Sequence, residues 1–573
     1  AGILLPVLSR RVSLRYSLLI GVLALAGSRV VNQVVADPGV DHLTSGVAVA
    51  AFVGLLPLLL SLGREVMIAG VLVGITLDTA IKGLGSTLDL AYRSGSMPLL
   101  TVSVLAAVTV YLASAIPSPA RIGPRWGAAL SLIGLGPFLY VQYQVLQAPG
   151  WVSEMTGAPT GIVLVAITIL NLAGLWAAQR LGDSRWAVGV SGVIVAAAMT
   201  VASGSGPVPA IMVALAIPAA AVVWVALIPD TRGTSVAAAA VGVTVGMVLF
   251  LMIGFAYYLP LDLNLGFSQG QARITGGVLV AFFALVAAVS RRGSVAATLA
   301  GTPRLVFPVL ILPLVGLFGS QSLPEPSVDG PVRYMAYNIH QGFGTAGDMD
   351  IEVIAMVIKD SGATVVGLQE VARAGLLNAN ADLVYLLADR LGWEHAVFFG
   401  TTDPVWGNAI LSRYPLSNVE RRLLPKVGTP YQRGYLAASV ATPEGEVLFI
   451  STHLQHINDP DFHREDPESD LYPVHHEQLG VVLDQWDGRS PAVLVGDLNA
   501  RPEWRQVMEF LDAGWVDAWT EAGTGSGFTA NAADPRYRID YVFHTTDMSA
   551  VNAEVIDSQA SDHFAVVADL TRG

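Results

Sequence analysis

The sequence predicts two fold classes in one chain: a multi-pass α-helical membrane domain, then a soluble α/β domain. Three observations predict this. Of 573 residues, 53% are hydrophobic and 13% charged, with mean hydropathy +0.56, against about 25% charged in ordinary soluble domains. The charges are segregated, because residues 1–330 hold 16 Lys/Arg and 11 Asp/Glu, whereas 331–573 hold 16 and 34. The pattern also changes at that point, from long apolar runs to short β runs alternating with helical ones. Disordered and collagen-like chains are excluded by the same composition. The chain has no cysteine, which excludes disulfides and thiolate metal sites.

Apolar runs fall near 16–35, 45–62, 66–82, 97–116, 126–147, 159–178, 186–203, 207–228, 234–258, 272–290 and 304–320. An α-helix crosses the hydrocarbon core in about 20 such residues, so about 11 spans are expected. Cytoplasmic loops carry the Lys/Arg excess. With Arg10, Arg11 and Arg15 inside, so are Arg64, Arg121, Arg125, Arg180, Arg185, Arg232, Arg291, Arg292 and Arg304; only Lys82, Arg93 and Arg273 fall outside. This bias predicts a plasma-membrane protein with a cytoplasmic N-terminus and an extracytoplasmic domain after residue 320. The Ala/Gly/Val-rich, cysteine-free composition points to a bacterial source. Ten further spans argue against the first being a cleaved signal peptide.

The expected organisation is a polytopic domain over 1–320, a polar, Pro-containing linker over 321–330 (QSLPEPSVDG) and a catalytic domain over 331–573. Polar side chains in a bilayer face a bundle interior or cavity. Arg29, Asp78 and Lys82, near the outer ends of spans 1 and 3, read either as an outer-leaflet headgroup pocket or as an Arg29–Asp78 stabilising pair.

In the soluble half, VRYMAYNI, TVVGLQE, NAILSR, YLAASVA, EVLFISTHL, AVLVGDLN, IDYVF and FAVVADL read as strands, and 350–361, 380–391 and 474–486 as helices. Polar residues gather at the strand ends: Asn338, Glu370, His453, Asp497, Asn499, Asp540, Asp562 and His563. Carboxylates and amides in this number suit a hard cation, Mg²⁺ or Mn²⁺, with Ca²⁺ a third choice, and two histidines can handle protons. Phosphate-ester hydrolysis needs a metal against the phosphate charge, a group to aim water and a donor for the leaving oxygen. The stretch 455–478, with His456, His463, His475 and His476, reads as a solvated lid loop rather than an accessory metal site, and Gln478 as structural.

The strings YNIHQG, GLQE, WGNAILSR, STHL, GDLN, RIDYVF and SDH occur in the order typical of the endonuclease/exonuclease/phosphatase superfamily. The resemblance covers essentially all of 331–573. It implies an α/β four-layer sandwich, two packed mixed sheets flanked by helices, with the site at the top of the sheets. It also implies roles. Glu370 would be the main metal ligand, assisted by Asn338 and Asp562. Asp497 would orient or deprotonate water, and Asn499 would hold the phosphate. Asp540 would fix His563, while His453 would act as acid or charge stabiliser. Arg433 and Asn408 would be phosphate or scaffold contacts. His340 departs from the abasic-site endonucleases, which have an acidic residue there, and is assigned to the phosphate.

The many-spanned N-terminal half and the wording of YNIHQGF and TTDPVWGNAILSRYPL resemble eukaryotic proteins that remodel the lipid of GPI anchors. This implies a phospholipase C-like phosphodiesterase acting on a phospholipid or glycolipid headgroup, an inositol-phosphate lipid being the first guess. Two alternatives compete: a membrane-anchored extracytoplasmic nuclease, and a non-enzymatic membrane protein with a degenerate domain. One span would serve as an anchor, and the net charge of −18 over 331–573 suits a polyanion poorly. The expected partners are therefore a membrane lipid substrate and the bilayer, not nucleic acid.

Overall fold

The computed structural model describes all residues except 1–3, 10, 36, 94, 117–128, 230–235, 264–265, 291–301, 320–330, 427–430 and 457–466. The expected linker at 321–330 lies outside the described residues, as does His463. The chain forms two compact units, one of Ala1–Tyr258 with Phe267–Gly319, the other of Leu259–Gly266 with Ser320–Gly573.

In the first unit, eight helices are long and apolar enough to cross a membrane: Leu14–Val34, Gly39–Leu62, Arg64–Leu84, Ser96–Ala115, Thr160–Leu181, Pro207–Leu227, Val236–Pro260 and Gln269–Val289. The other three expected spans are shorter apolar helices, Leu130–Leu146, Arg185–Val201 and Thr302–Phe318. By length and composition eight spans are supported among the described residues, and the expected count of about 11 is not confirmed. Side-chain caps mark several starts: Ser13 accepts from Tyr16 N, Asp37 from Val40 N and Ser184 from Ala187 N.

The second unit holds twelve strands: β1 (Val332–Asn338), β2 (Val365–Ala372), β3 (His395–Asp403), β4 (Trp406–Ser412), β5 (Leu416–Leu423), β6 (Gly434–Thr442), β7 (Gly445–His453), β8 (Ala492–Asp497), β9 (Trp515–Asp517), β10 (Asp540–Thr545), β11 (Met548–Ile556) and β12 (Ala565–Arg572). They build two six-stranded sheets, ordered β11-β12-β1-β2-β4-β3 and β5-β6-β7-β8-β10-β9. Each has one parallel pair at its centre, β1 with β2 and β7 with β8, while all other pairs are antiparallel.

One buried cluster takes side chains from both sheets, including Tyr334, Val365, Ile410, Leu436, Phe449, Val495, Val542 and Val566. Tyr334 stacks on Phe449 at 5.8 Å. Gly367 of the GLQE string sits where a Cβ would collide with the Val495 side chain, so the close approach of the two sheets requires glycine there. Helices Pro467–Trp486 and Arg505–Asp512 bring Leu479, Val482, Val507 and Phe510 against Tyr435, Leu494 and Phe543 of the second sheet. Strands β3, β5, β9 and β11 were not expected. All four lie at sheet edges, where partly exposed faces, or in β9 a length of three residues, weaken the apolar signature.

Candidate active site

The parallel pairs explain why distant residues meet. Parallel strands end on the same side, so Asn338 and Glu370 come together from β1 and β2, and His453 and Asp497 from β7 and β8. Antiparallel neighbours begin where these strands end. Asp540, the first residue of β10, pairs with Asp497; Gly434, the first of β6, pairs with His453; and His563 lies two residues before β12, the partner of β1. The expected site residues of the second unit thus come from the same ends of its two sheets.

Asp497 is the hub. It is buried, and its Oδ2 accepts from Asn338 Nδ2 at 3.0 Å while lying 3.3 Å from His453 Nε2 and 3.8 Å from His563 Nε2. Its Oδ1 accepts from the Asn499 backbone N–H at 2.9 Å. Burial alone would raise its pKa; the two histidines and the Asn499 hydrogen bond outweigh this and hold the carboxyl well below the usual range.

The two histidines differ. The Arg433 guanidinium donates from Nη1 to His453 Nδ1 at 3.1 Å. Arginine cannot accept, so His453 is neutral with its hydrogen on Nε2, aimed at Asp497. Burial, then Arg433, lowers the His453 pKa against the pull of Asp497. His563 Nδ1 instead lies 2.8 Å from Asp540 Oδ2. Burial opposes its charge, yet Asp540 and Asp497 raise its pKa well above the ordinary value. Asp540 itself is pushed up to about 6 by burial, with His563 pulling the other way and Asp497 adding to the rise.

Glu370 sits at φ +54 where the β2–β4 register shifts, a bulge that re-aims its side chain. Burial disfavours its charge, but His453, Arg433, His340 and His563 together draw its pKa down. Asp562 remains partly open to solvent, 3.7 Å from His340 Nδ1. The His340 N–H donates to Asn338 Oδ1 at 3.0 Å, and the Ser561 hydroxyl donates to the Asn338 carbonyl at 2.7 Å. Ser561, to which the sequence pattern assigns no role, therefore ties the SDH string to the end of β1.

Asn408 commits its amide to the Gly434 carbonyl at 2.9 Å, joining the two sheets; of the two roles expected for it, this is the scaffold one. Arg433 is buried beneath Tyr431 and Trp406, with ring centroids at 4.9 and 5.7 Å, and its Nε has no hydrogen-bond partner among the described residues. Asn499, at φ +49, donates from Nδ2 to the Leu454 carbonyl at 3.2 Å, with His453 Nε2 3.1 Å away.

The 455–478 stretch is not wholly a solvated loop. Gln455, His475 and Gln478 are buried. His475 Nε2 donates to the Gln455 carbonyl at 2.6 Å, and Gln478 accepts from Gln455 N at 2.9 Å. His456 lies near Asn499 and in the field of Asp497, and its place three residues after His453 was the signal that could have marked it.

The donor set fits a divalent cation. The Glu370 and Asp562 carboxylates and the Asn338 amide are hard oxygen donors. Donor atoms of Asp497, Asp540 and His563 also lie within 4.8 Å of one another, a second way to hold an ion. In the first unit, the expected Arg29–Asp78 pair is replaced by Arg29 with Asp89 at 3.0 Å and Asp78 with Lys82 at 3.1 Å. Asp78 and Lys82 are four residues apart on one helix, one turn and so the nearer partners.

Residues 335–563 match the model of the Endonuclease/Exonuclease/phosphatase family. Among solved structures, an endonuclease/exonuclease/phosphatase from Beutenbergia cavernae is 29% identical, covering 43% of this chain and 72% of its own, with a TM-score of 0.38. The mannosyl-6-phosphatase from Bacteroides thetaiotaomicron is 19% identical over 42% and 99%, with a TM-score of 0.35. The human Nocturnin catalytic domain is 19% identical over 43% and 97%, with a TM-score of 0.34. Comparison with curated proteins returns no significant match. The chain thus carries, after its apolar helices, an Endonuclease/Exonuclease/phosphatase-family domain over residues 335–563, that of a phosphoric ester hydrolase.

Proposed function

We propose that this protein is a membrane-bound, divalent-metal-dependent phosphodiesterase that hydrolyses the phosphate ester of a phospholipid or glycolipid headgroup at the outer leaflet, in a phospholipase C-like manner. The observation that carries the reading is the convergence of Asn338, Glu370, His453, Asp497, Asp540 and His563 in a chain that also holds eight helices able to span a bilayer. The negative charge of 331–573 speaks against a nucleic-acid backbone as the partner.

Glu370, Asp562 and Asn338 would hold Mg²⁺ or Mn²⁺, which when bound offsets the phosphate charge and polarises the ester. Asp497, strongly ionised, accepts a hydrogen bond from water and aims it in line at phosphorus. His453, kept neutral by Arg433, offers Nε2–H to a phosphate oxygen. His563, kept charged by Asp540, stabilises the charge that grows on the phosphate and gives a proton to the leaving oxygen. Arg433, Asn499 and His340 would provide further polar contacts to the phosphate. The catalytic domain, read as a four-layer sandwich, would lie outside the cytoplasm, and the multi-pass part would sit in the plasma membrane with its N-terminus in the cytoplasm.

The test is release of phosphate ester by the detergent-purified full chain with Mg²⁺, given phosphatidylinositol, sphingomyelin and DNA in parallel, with Asp497→Ala as the blank. Lipid cleavage that vanishes in the blank supports the reading. Cleavage of DNA alone replaces it with an anchored nuclease.

A further inference from the structure

The strands that carry Asp497 and Asp540 run on past the active site. Asp540 pairs with Asp497. Beyond that pair the Leu498 N–H donates to the Ile539 carbonyl at 2.9 Å, and the Ala500 carbonyl accepts from the Tyr541 hydroxyl at 2.8 Å. Further outward come Arg501 and Tyr537, and their side chains meet. The Arg501 guanidinium lies 3.9 Å from the centre of the Tyr537 ring and 5.5 Å from that of Trp504. At about 3.4 Å per residue, three residues of strand place Tyr537 no more than about 10 Å from Asp540.

Tyr537 is fixed to the other side of the site as well. Ala530 pairs with both Tyr537 and His563. The Tyr537 carbonyl accepts from Thr529 N at 2.7 Å, and the Thr529 carbonyl accepts from Phe564 N at 2.7 Å. The Thr529 hydroxyl accepts from Asp540 N at 3.2 Å. The Arg501–Tyr537 stack therefore sits beside Asp540 and His563, the side from which His563 would protonate the leaving oxygen. Tyr537 and Phe528 remain 39% and 40% exposed, so this edge of the site faces solvent.

The guanidinium at this edge has no acid. Residues 331–573 hold 34 Asp/Glu against 16 Lys/Arg, and other arginines of the domain are paired: Arg489 with Glu420, Arg536 with Asp534 and Arg538 with Asp517. Arg501 forms no hydrogen bond or ion pair with any described residue and is held by the two rings alone. Stacking uses the face of the guanidinium plane and leaves its N–H edge free. That edge is what grips two oxygens of a phosphate or carboxylate. A cationic edge left open beside a phosphate-ester site suits a second oxyanion.

We propose that Arg501, stacked on Tyr537, binds a second phosphate group next to the scissile ester. The same edge would take a phosphate carried by the substrate or a free one, and the test separates the two. The inference rests on ester hydrolysis at Asp497 and not on a lipid being the substrate.

The probes are two water-soluble diesters, thymidine 5′-(p-nitrophenyl phosphate) and the same compound bearing a 3′-phosphate. Both are given with Mg²⁺ to the detergent-purified full chain. The 3′-phosphate is expected to raise kcat/KM by about tenfold or more, chiefly through KM. Arg501→Gln should bring the two kcat/KM values to within about twofold of each other, and Tyr537→Leu should narrow the gap. A variant that merely misfolds lowers both rates and leaves their ratio. This preference supports a phosphate carried by the substrate. If it is absent, an Arg501-dependent change in turnover of the single-phosphate diester on adding inorganic phosphate supports a free one. Neither effect, or either persisting in Arg501→Gln, overturns the proposal. Isothermal titration of both diesters into the full-length Asp497→Ala protein reads binding apart from hydrolysis. A wild type that cleaves neither diester, beside an Arg501-dependent binding preference, overturns the hydrolase reading alone; without that preference both fall.

Discussion

Two histidines share one carboxylate and are set to opposite states by their other neighbours. His453 faces a guanidinium, which can only donate, and is neutral; His563 faces Asp540 and carries charge. Asp497→Ala or His563→Ala should lower kcat by about 10²–10⁴ with the fold retained, checked by steady-state kinetics beside circular dichroism. The pH profile tests the His563–Asp540 pair. His563 has its folded-state pKa raised by the two aspartates, so activity that needs its proton is present at low pH and lost as pH rises through that pKa. Asp540→Asn removes one raising charge, so the alkaline limb of kcat should move to lower pH. An unmoved limb would mean that another group sets it.

At the scale of elements, the parallel pairs β1–β2 and β7–β8 decide which strand ends become chemistry, and the helix Pro467–Trp486 decides which histidines of 455–478 are withdrawn from solvent. His475 on that helix is lowered to about 4, by burial above all, against its hydrogen bond to Gln455. Its folded pKa lies below the unfolded value, so between these values only the unfolded chain binds the proton, and stability falls as pH drops through that window. The loss should be about 2 kcal/mol near pH 5. Denaturation midpoints at pH 7.5 and pH 5 should separate accordingly in wild type, and less so in His475→Gln, which keeps a donor for the Gln455 carbonyl.

At the scale of the whole molecule, the proposed function joins a hydrolase domain and an apolar half in one chain. Chelation by EDTA should abolish turnover of any phosphodiester, and Mg²⁺ or Mn²⁺ should restore it, since oxygen donors of the Glu370 kind favour hard cations. Restoration by neither ion would remove the metal from the reading. If lipid is the substrate, turnover in mixed micelles should fall as a non-substrate phospholipid dilutes it at constant bulk concentration, whereas a water-soluble diester should be cleaved at an unchanged rate.

Local chemistry was legible in the sequence because its causes are local. Runs of apolar side chains marked the helices, and strand-terminal Asn338, Glu370, His453 and Asp497 stood out as polar residues closing apolar runs. Edge strands β3, β5 and β11 were missed because their half-exposed faces break the apolar pattern. Contacts between distant residues came from the tertiary structure alone. The Asn338–Asp497 hydrogen bond joins residues 159 apart in sequence, and the neutral state of His453 depends on Arg433 arriving from the neighbouring strand. The partner of Arg29 likewise depends on which helices pack together. Composition and periodicity fix which elements form and which residues can do chemistry; strand order and helix packing fix which of those residues meet, and so their charge.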